Sequence, residues 1–177
     1  MSRTMSRGWR WGGRPTPVAE MMSDMAVVVE PIVSREKLLA LLDQQSESST
    51  LDYKRTLNLG KGNAEAVVEL AKDVAAMQSE SAGGYIVIGA DDHGVPVADL
   101  TADLAKHFDD ATLRQKLGIY LTEPEVRSAQ HGVDGQTLVL IYVAPSEHGW
   151  CIFKQPGEYE RAGNGRPEIC RWTAPSA

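Results

Sequence analysis

The sequence predicts an α+β fold, in which two or three helices pack on a mainly antiparallel sheet within a single domain. Segments with a helical spacing of apolar residues alternate with short β-branched runs, and two late runs are joined by a glycine-bearing turn. The chain has 177 residues, of which 42% are hydrophobic and 24% charged. This length and composition are sufficient for one domain with its own core.

Two helices and a strand are predicted in the first half. Ser34 is a good N-cap for the leucine-rich segment that follows it. The stretch from Leu51 to Lys54 alternates apolar and charged side chains, which is the pattern of a strand with one buried face. Beyond a glycine-bearing loop, an apolar stripe predicts a helix from Ala64 to about Gln78.

The second half is predicted to supply most of the sheet. YIVIGA (85–90) is a continuous apolar run typical of a buried central strand, and a further helix is expected from Ala102 to Leu117. EVRSAQ (125–130) and QTLVLIYVA (136–144) predict a hairpin. Shorter β segments are expected from Trp150 onward.

The ends of the chain differ from this pattern. Residues 1–33 are expected to be a disordered N-terminal arm or leader, because the stretch offers too few aliphatic residues to offset its ordering entropy. A basic, aromatic arm that touches nucleic acid or a partner is the alternative. The domain is placed at 34–173, with a tail at 174–177. Cys151 and Cys170 have no metal-ligand or disulfide spacing and are expected to be reduced thiols.

Charge and hydropathy narrow the classes of function. No apolar run approaches the roughly 18 residues that a membrane span requires, so we expect a cytoplasmic protein with no membrane contact. The net charge is −6. Proteins that coat duplexes usually carry a basic surplus, so this class is disfavoured. A small basic groove or a carboxylate-held metal ion remains compatible with the charge.

A candidate site combines carboxylates from two separate segments. Glu47 and Asp52 flank the start of the first strand, Lys54 shares a strand face with Asp52, and Asp91 and Asp92 follow the buried strand. If these strands are neighbours, two or three acids could meet at one rim and hold Mg²⁺ or Mn²⁺. Lys54 could then stabilise charge that develops on phosphorus. On spacing alone, turn residues and solvated loop acids produce such a pattern more often.

Basic residues beside glycines are a second candidate feature. Lys61 lies in a glycine-bearing loop before a helix, but the loop lacks Walker spacing and a flexible connector is the simpler interpretation. Arg161 and Arg166 surround glycines near the end of the chain, and arginines so placed suit phosphate recognition. A surface hairpin with cross-strand ion pairs explains the two arginines equally well.

Four segments, taken in order, resemble the Schlafen AlbA-like family, which is also described as a DNA-binding or divergent AAA domain of bacterial and phage proteins. Glu47 followed by LDYK (51–54) resembles the family's Glu-x-x-x-x-Glu-Phe-Lys. GGYIVIGADDHG (83–94) resembles its Gly-Gly-Tyr-Leu-hydrophobic-hydrophobic-Gly-Val-Asp-Asp-x-Gly. LVLIYVAPS (138–146) resembles its strand ending in Val-x-x-Ser, and GEYERAGN (157–164) resembles its Tyr-hydrophobic-Arg-x-Gly element.

The resemblance implies a nucleic-acid-binding domain. In the nuclease branch of the family it implies a divalent-metal-dependent endoribonuclease that acts on structured RNA such as tRNA. The three acids of that branch correspond to Glu47, Asp52 and Asp91, which would hold Mg²⁺ or Mn²⁺ and form the catalytic site with Lys54. Asp52 stands where the family has Glu, so its carboxylate is one methylene shorter.

The resemblance leaves the partner and the activity open. RNA or DNA is expected to contact five basic residues, namely Lys54, Arg55, Lys61, Arg161 and Arg166. Nuclease-competent animal members pair two such modules, so a chain with one module would need to form a homodimer or act without catalysis. The alternatives are a non-catalytic DNA- or RNA-binding regulator of transcription or of phage and host, and a protein-interaction module.

Overall fold

The computed structural model describes residues 28–147 and 153–154, together with the backbone of residues 157–163 and 166–172. The helices are α1 (Arg35–Leu42), α2 (Ala64–Gln78), α3 (Ala102–Ala105) and α4 (Asp110–Leu117). The strands are β1 (Leu51–Lys54), β2 (Gly84–Ile88), β3 (Val126–Val133), β4 (Gln136–Val143), β5 (Gly157–Gly163) and β6 (Arg166–Trp172).

Four strands form one mixed sheet in the order β1-β2-β4-β3. β1 and β2 are parallel, whereas the β2–β4 and β3–β4 pairs are antiparallel. The parallel pair follows from the long connection through α2, because parallel neighbours need a crossover rather than a tight turn. β5 and β6 form a separate antiparallel hairpin. The predicted α+β class with a mainly antiparallel sheet is confirmed.

The β3–β4 hairpin is longer than predicted. Asp134 and Gly135 have φ angles of 50° and 78°, which are the left-handed values that a two-residue hairpin turn requires. Because the turn uses only these two residues, β3 continues through His131, Gly132 and Val133, which the sequence predicts to lie in the turn.

Helical layers cover both faces of the sheet. Ile86 and Ile88 of the central strand pack in one apolar cluster with residues of α2 and α4. Tyr85 and Val87 pack in a second cluster with the leucines of α1. All five residues of β2 are therefore buried, as the unbroken apolar run predicted.

The predicted single helix over residues 102–117 is wrong. α3 ends at Ala105, a 3₁₀ turn follows, and Asp109 has extended backbone with ψ of 150°. The Asp109 carboxylate accepts a hydrogen bond from the backbone N–H of Thr112 at 3.0 Å, so it caps a new helix instead of continuing the old one. No helix in the described part of the chain is long and apolar enough to cross a bilayer.

Residues 28–33 pack on the α1 side of the sheet. The Tyr85 hydroxyl accepts a hydrogen bond from the backbone N–H of Glu30 at 3.1 Å and donates one to its carbonyl oxygen. The His131 Nε2 lies 2.8 Å from the carbonyl oxygen of Val33. These six residues are thus held by the fold, N-terminal to the predicted domain boundary, while residues 1–27 lie outside the described part of the chain.

Gly89 directly follows β2 with φ of 103°, and a Cβ at this position would lie 2.8 Å from the carbonyl oxygen of Thr137. We expect Gly89→Ala to lower the free energy of unfolding by at least roughly 1–3 kcal/mol, because it adds backbone strain to a steric clash. Gly132→Ala is the matched control, since its Cβ would meet nothing within 4 Å. Urea unfolding measures both, and equal stabilities of the two variants would contradict this packing.

Candidate functional site

Because β1 and β2 are parallel neighbours, their carboxyl ends lie side by side. Lys54 is in register with Ile88, and its carbonyl oxygen accepts hydrogen bonds from the backbone N–H groups of Gly89 at 2.7 Å and Ala90 at 3.3 Å. The condition on which the predicted site depends, that these two strands are neighbours, is met. Lys54, the last residue of β1, and Asp91, which follows β2, therefore lie at the same end of these two strands.

The ammonium of Lys54 lies between two carboxylates. Its Nζ is 2.9 Å from Asp52 Oδ2 and 2.9 Å from Asp73 Oδ2. The three side chains are only 23%, 24% and 29% exposed. We call these three residues the β1–α2 triad. Asp52 and Lys54 lie on the face of β1 that α2 covers, because Leu51 and Tyr53 occupy the other face with α1.

Sequence reasoning missed Asp73. It occupies α2 directly before the buried Val74, beside the apolar stripe of that helix. An acid at the border of a buried helical stripe is the signal that could have identified it, because such a position faces the sheet and needs a partner there.

Burial and neighbouring charges shift the pKa values of Lys54 and Asp73 in opposite directions. Burial alone lowers the pKa of Lys54, but the close contacts with the Asp52 and Asp73 carboxylates together outweigh it and raise the pKa above its usual value. Burial raises the pKa of Asp73, and the Lys54 charge opposes this rise without cancelling it. Both carboxylate Oδ2 atoms are buried and lie at ion-pair distance, yet neither has a hydrogen bond of good geometry.

Glu47 has a different role at the outer edge of β1. This exposed residue accepts a hydrogen bond at Oε1 from the backbone N–H of Tyr53 at 3.1 Å. β1 is an edge strand, so the bond satisfies a backbone donor that would otherwise face outward.

Asp91 caps a turn. Its Oδ1 accepts hydrogen bonds from the backbone N–H groups of Val95 at 2.9 Å and His93 at 3.0 Å. These bonds, that from Val95 above all, hold the pKa of Asp91 below its usual value. The turn-residue interpretation of the Asp-Asp-His-Gly segment thus has direct structural support.

The three acids implied by the resemblance contact three different partners. Glu47 engages a strand-edge amide, Asp52 engages Lys54, and Asp91 engages its own turn. Across the residues that the structure describes, no three His, Cys, Asp or Glu side chains are grouped to hold a metal ion. As arranged, the residues do not fit a three-acid Mg²⁺ or Mn²⁺ centre, which stays a prediction from the resemblance.

The predicted basic contacts are only partly described. Arg55 pairs with Asp99, with Nη2 2.9 Å from Oδ2, and its side chain is 57% exposed. Lys61 is exposed on the loop between β1 and α2. Arg161 lies in β5 and Arg166 in β6, and their side chains lie outside the described part of the structure.

Comparison with known proteins gives a family match and a structural relative. The family described as Schlafen, AlbA_2 matches residues 47–168. The chain is also similar to the crystal structure of the DIP2311 protein from Corynebacterium diphtheriae, with 22% sequence identity and a TM-score of 0.43. That similarity covers 77% of this chain and 27% of the DIP2311 chain. No curated protein matches the sequence.

The Tyr53 phenol generates a pH prediction. Burial, with a contribution from the Glu47 carboxylate, raises the pKa of Tyr53 from 10.0 to about 12. Because the pKa of Tyr53 is higher in the folded than in the unfolded protein, its neutral phenol contributes to stability. This contribution is fully present below pH 10 and is lost as pH rises through about 12. Phenolate absorbance and urea unfolding should both report the shift. Tyr53→Phe should remove this component, and Glu47→Gln should lower the titration midpoint; an unchanged midpoint in Glu47→Gln would contradict the Glu47 contribution.

Proposed function

The chain belongs to the Schlafen AlbA_2 family, and we propose that it is a nucleic-acid-binding domain that holds the phosphates of structured RNA. The binding surface is the loop between β1 and α2, residues 55–63, together with the first turn of α2. Lys54 borders this surface but contributes less, because its ammonium is already shared by two carboxylates.

The start of α2 is the observation that carries the proposal. Asn63 occupies the N-cap position but its side chain makes no capping hydrogen bond. The first N–H groups of a helix lack intrahelical partners, and the helix dipole favours an anion beside them. Lys61 and Gly62 immediately precede this terminus, and both are exposed.

Arg55 adds a second cation at the other end of the same loop. It follows β1 at the edge where the parallel pair β1–β2 ends. In open α/β sheets, ligands commonly bind outside the carboxyl ends of parallel strands. Two separated cations and a helix terminus suit a phosphate backbone better than a single phosphate group.

The endoribonuclease activity implied by the resemblance is the second candidate. What favours it is that Asp52 and Asp73 bring two carboxylates to one point. What opposes it is that Glu47 and Asp91 accept hydrogen bonds from backbone N–H groups and that neither pairs with Lys54. The proposal therefore rests on binding and includes no step through a metal ion.

Binding of labelled tRNA as a function of salt tests the proposed surface. Arg55→Ala and Lys61→Ala should each weaken binding and reduce the slope of log affinity against log salt by about 1. Glu65→Gln should strengthen binding, because it removes a negative charge from the first turn of α2. Lys106→Ala is the matched control, since Lys106 follows α3 beside β3, at the opposite edge of the sheet.

If Arg55→Ala, Lys61→Ala and Glu65→Gln all bind like the parent protein, the proposed surface is wrong. Tighter binding of duplex DNA than of tRNA would overturn RNA as the substrate class. Absence of binding to either nucleic acid would leave the protein-interaction alternative.

Incubation of total tRNA with Mn²⁺ or EDTA separates binding from hydrolysis. We expect binding without cleavage. Cleavage that EDTA abolishes and that the Asp52→Ala/Asp91→Ala variant lacks would instead establish the metal-dependent endoribonuclease. Cleavage that survives in that variant would indicate a contaminant or another site.

A further inference from the structure

We infer that the acidic centre of this domain is built around an internal ammonium instead of a divalent metal ion. In the β1–α2 triad, Lys54 occupies the position between Asp52 and Asp73 that a bridging cation would need. Asp73, which no family motif identified, is the positioning residue that completes this arrangement. The inference goes beyond nucleic-acid binding and does not depend on it.

The positions of the Asp52 and Asp73 carboxylates are set by the packing of β1 and α2. Asp52 belongs to β1, where its backbone is in register with Ile86 of the buried central strand. Asp73 belongs to α2, where Leu70, Ala71 and Val74 beside it are 0–1% exposed in the core. Because both elements are anchored by buried apolar contacts, the facing carboxylates are held close together and require a positive charge between them.

Lys54 supplies that charge through the same oxygen atoms that a metal would use. Its Nζ is 2.9 Å from Oδ2 of each carboxylate. A bridging Mg²⁺ would need those oxygens at about 2.0–2.1 Å, so it could bind only after the ammonium had left. Lys72 of α2 and Arg55, which follows β1, do not replace Lys54, since Lys72 pairs with Glu69 and Arg55 pairs with Asp99.

The remaining acids of the family pattern do not restore a metal site. Glu47 and Asp91 each accept hydrogen bonds from backbone N–H groups, and neither carboxylate pairs with Lys54. A divalent ion at the triad would therefore find two carboxylates and one ammonium. The positive charge of Lys54, which lies 2.9 Å from both carboxylate oxygens, would repel that ion strongly in a half-buried setting.

Direct measurement of Mn²⁺ binding tests the inference without nucleic acid. The amplitude of the free Mn²⁺ signal in electron paramagnetic resonance gives the bound fraction for each protein. The wild-type protein should show no saturable site. Lys54→Met should gain at least roughly tenfold in Mn²⁺ affinity, because it opens the two-carboxylate position to hard cations. Lys54→Met/Asp73→Asn should lose that gain, and Lys61→Met is the matched control that should resemble the wild type.

Two outcomes would overturn the inference. A saturable Mn²⁺ site in the wild-type protein that Asp73→Asn abolishes would show that the ammonium does not exclude the metal. A folded Lys54→Met variant with no gain in Mn²⁺ affinity would show that the ammonium does not occupy a cation position. Circular dichroism establishes folding of each variant.

If Lys54→Met does not fold, the wild-type protein and Asp73→Asn decide the matter. Melting curves of the wild-type protein that coincide in Mn²⁺ and in EDTA support the internal ammonium. A Mn²⁺-dependent rise in melting temperature that Asp73→Asn removes contradicts it.

Discussion

Burial of the central strand on both faces is the constraint on which the rest of the structure depends. β2 must present apolar side chains alternately to α2 and to α1, so its register fixes both helical layers. It also pairs with β1 on one side and β4 on the other. Asp52 and Lys54 of β1 consequently face α2, and the β1–α2 triad forms between that strand and that helix.

The sequence was most informative where one period dominates a segment. The strands β2 and β4 were predicted from unbroken apolar runs, and α2 was predicted from an apolar stripe at helical spacing. The break at Asp109 was not predicted, because the apolar residues on both sides of it still fit helical spacing. A side-chain cap at one residue, rather than periodicity, decides where that helix starts.

The candidate site was predictable only in part, for a related reason. Adjacency of the two acidic strand ends was the condition on which the predicted site depended, and the parallel pairing of β1 and β2 meets it. The partner of each acid could not be predicted from the sequence. Glu47 and Asp91 accept hydrogen bonds from backbone amides, whereas Asp52 pairs with the Lys54 ammonium. Those choices depend on which donors the folded backbone presents. Asp73 was missed because a helical pattern shows that a residue borders the core but not which polar group faces it.

The carboxylate at the border of β1 has a consequence for assembly. Sheets can grow by recruiting a strand from a neighbouring molecule, and an outward-facing amide is the group that begins such recruitment. With the amide of Tyr53 already occupied by Glu47, two copies of this chain cannot readily merge their sheets across β1. A dimer that extended this sheet would therefore have to use its other edge strand, β3, or else associate through side chains on another surface.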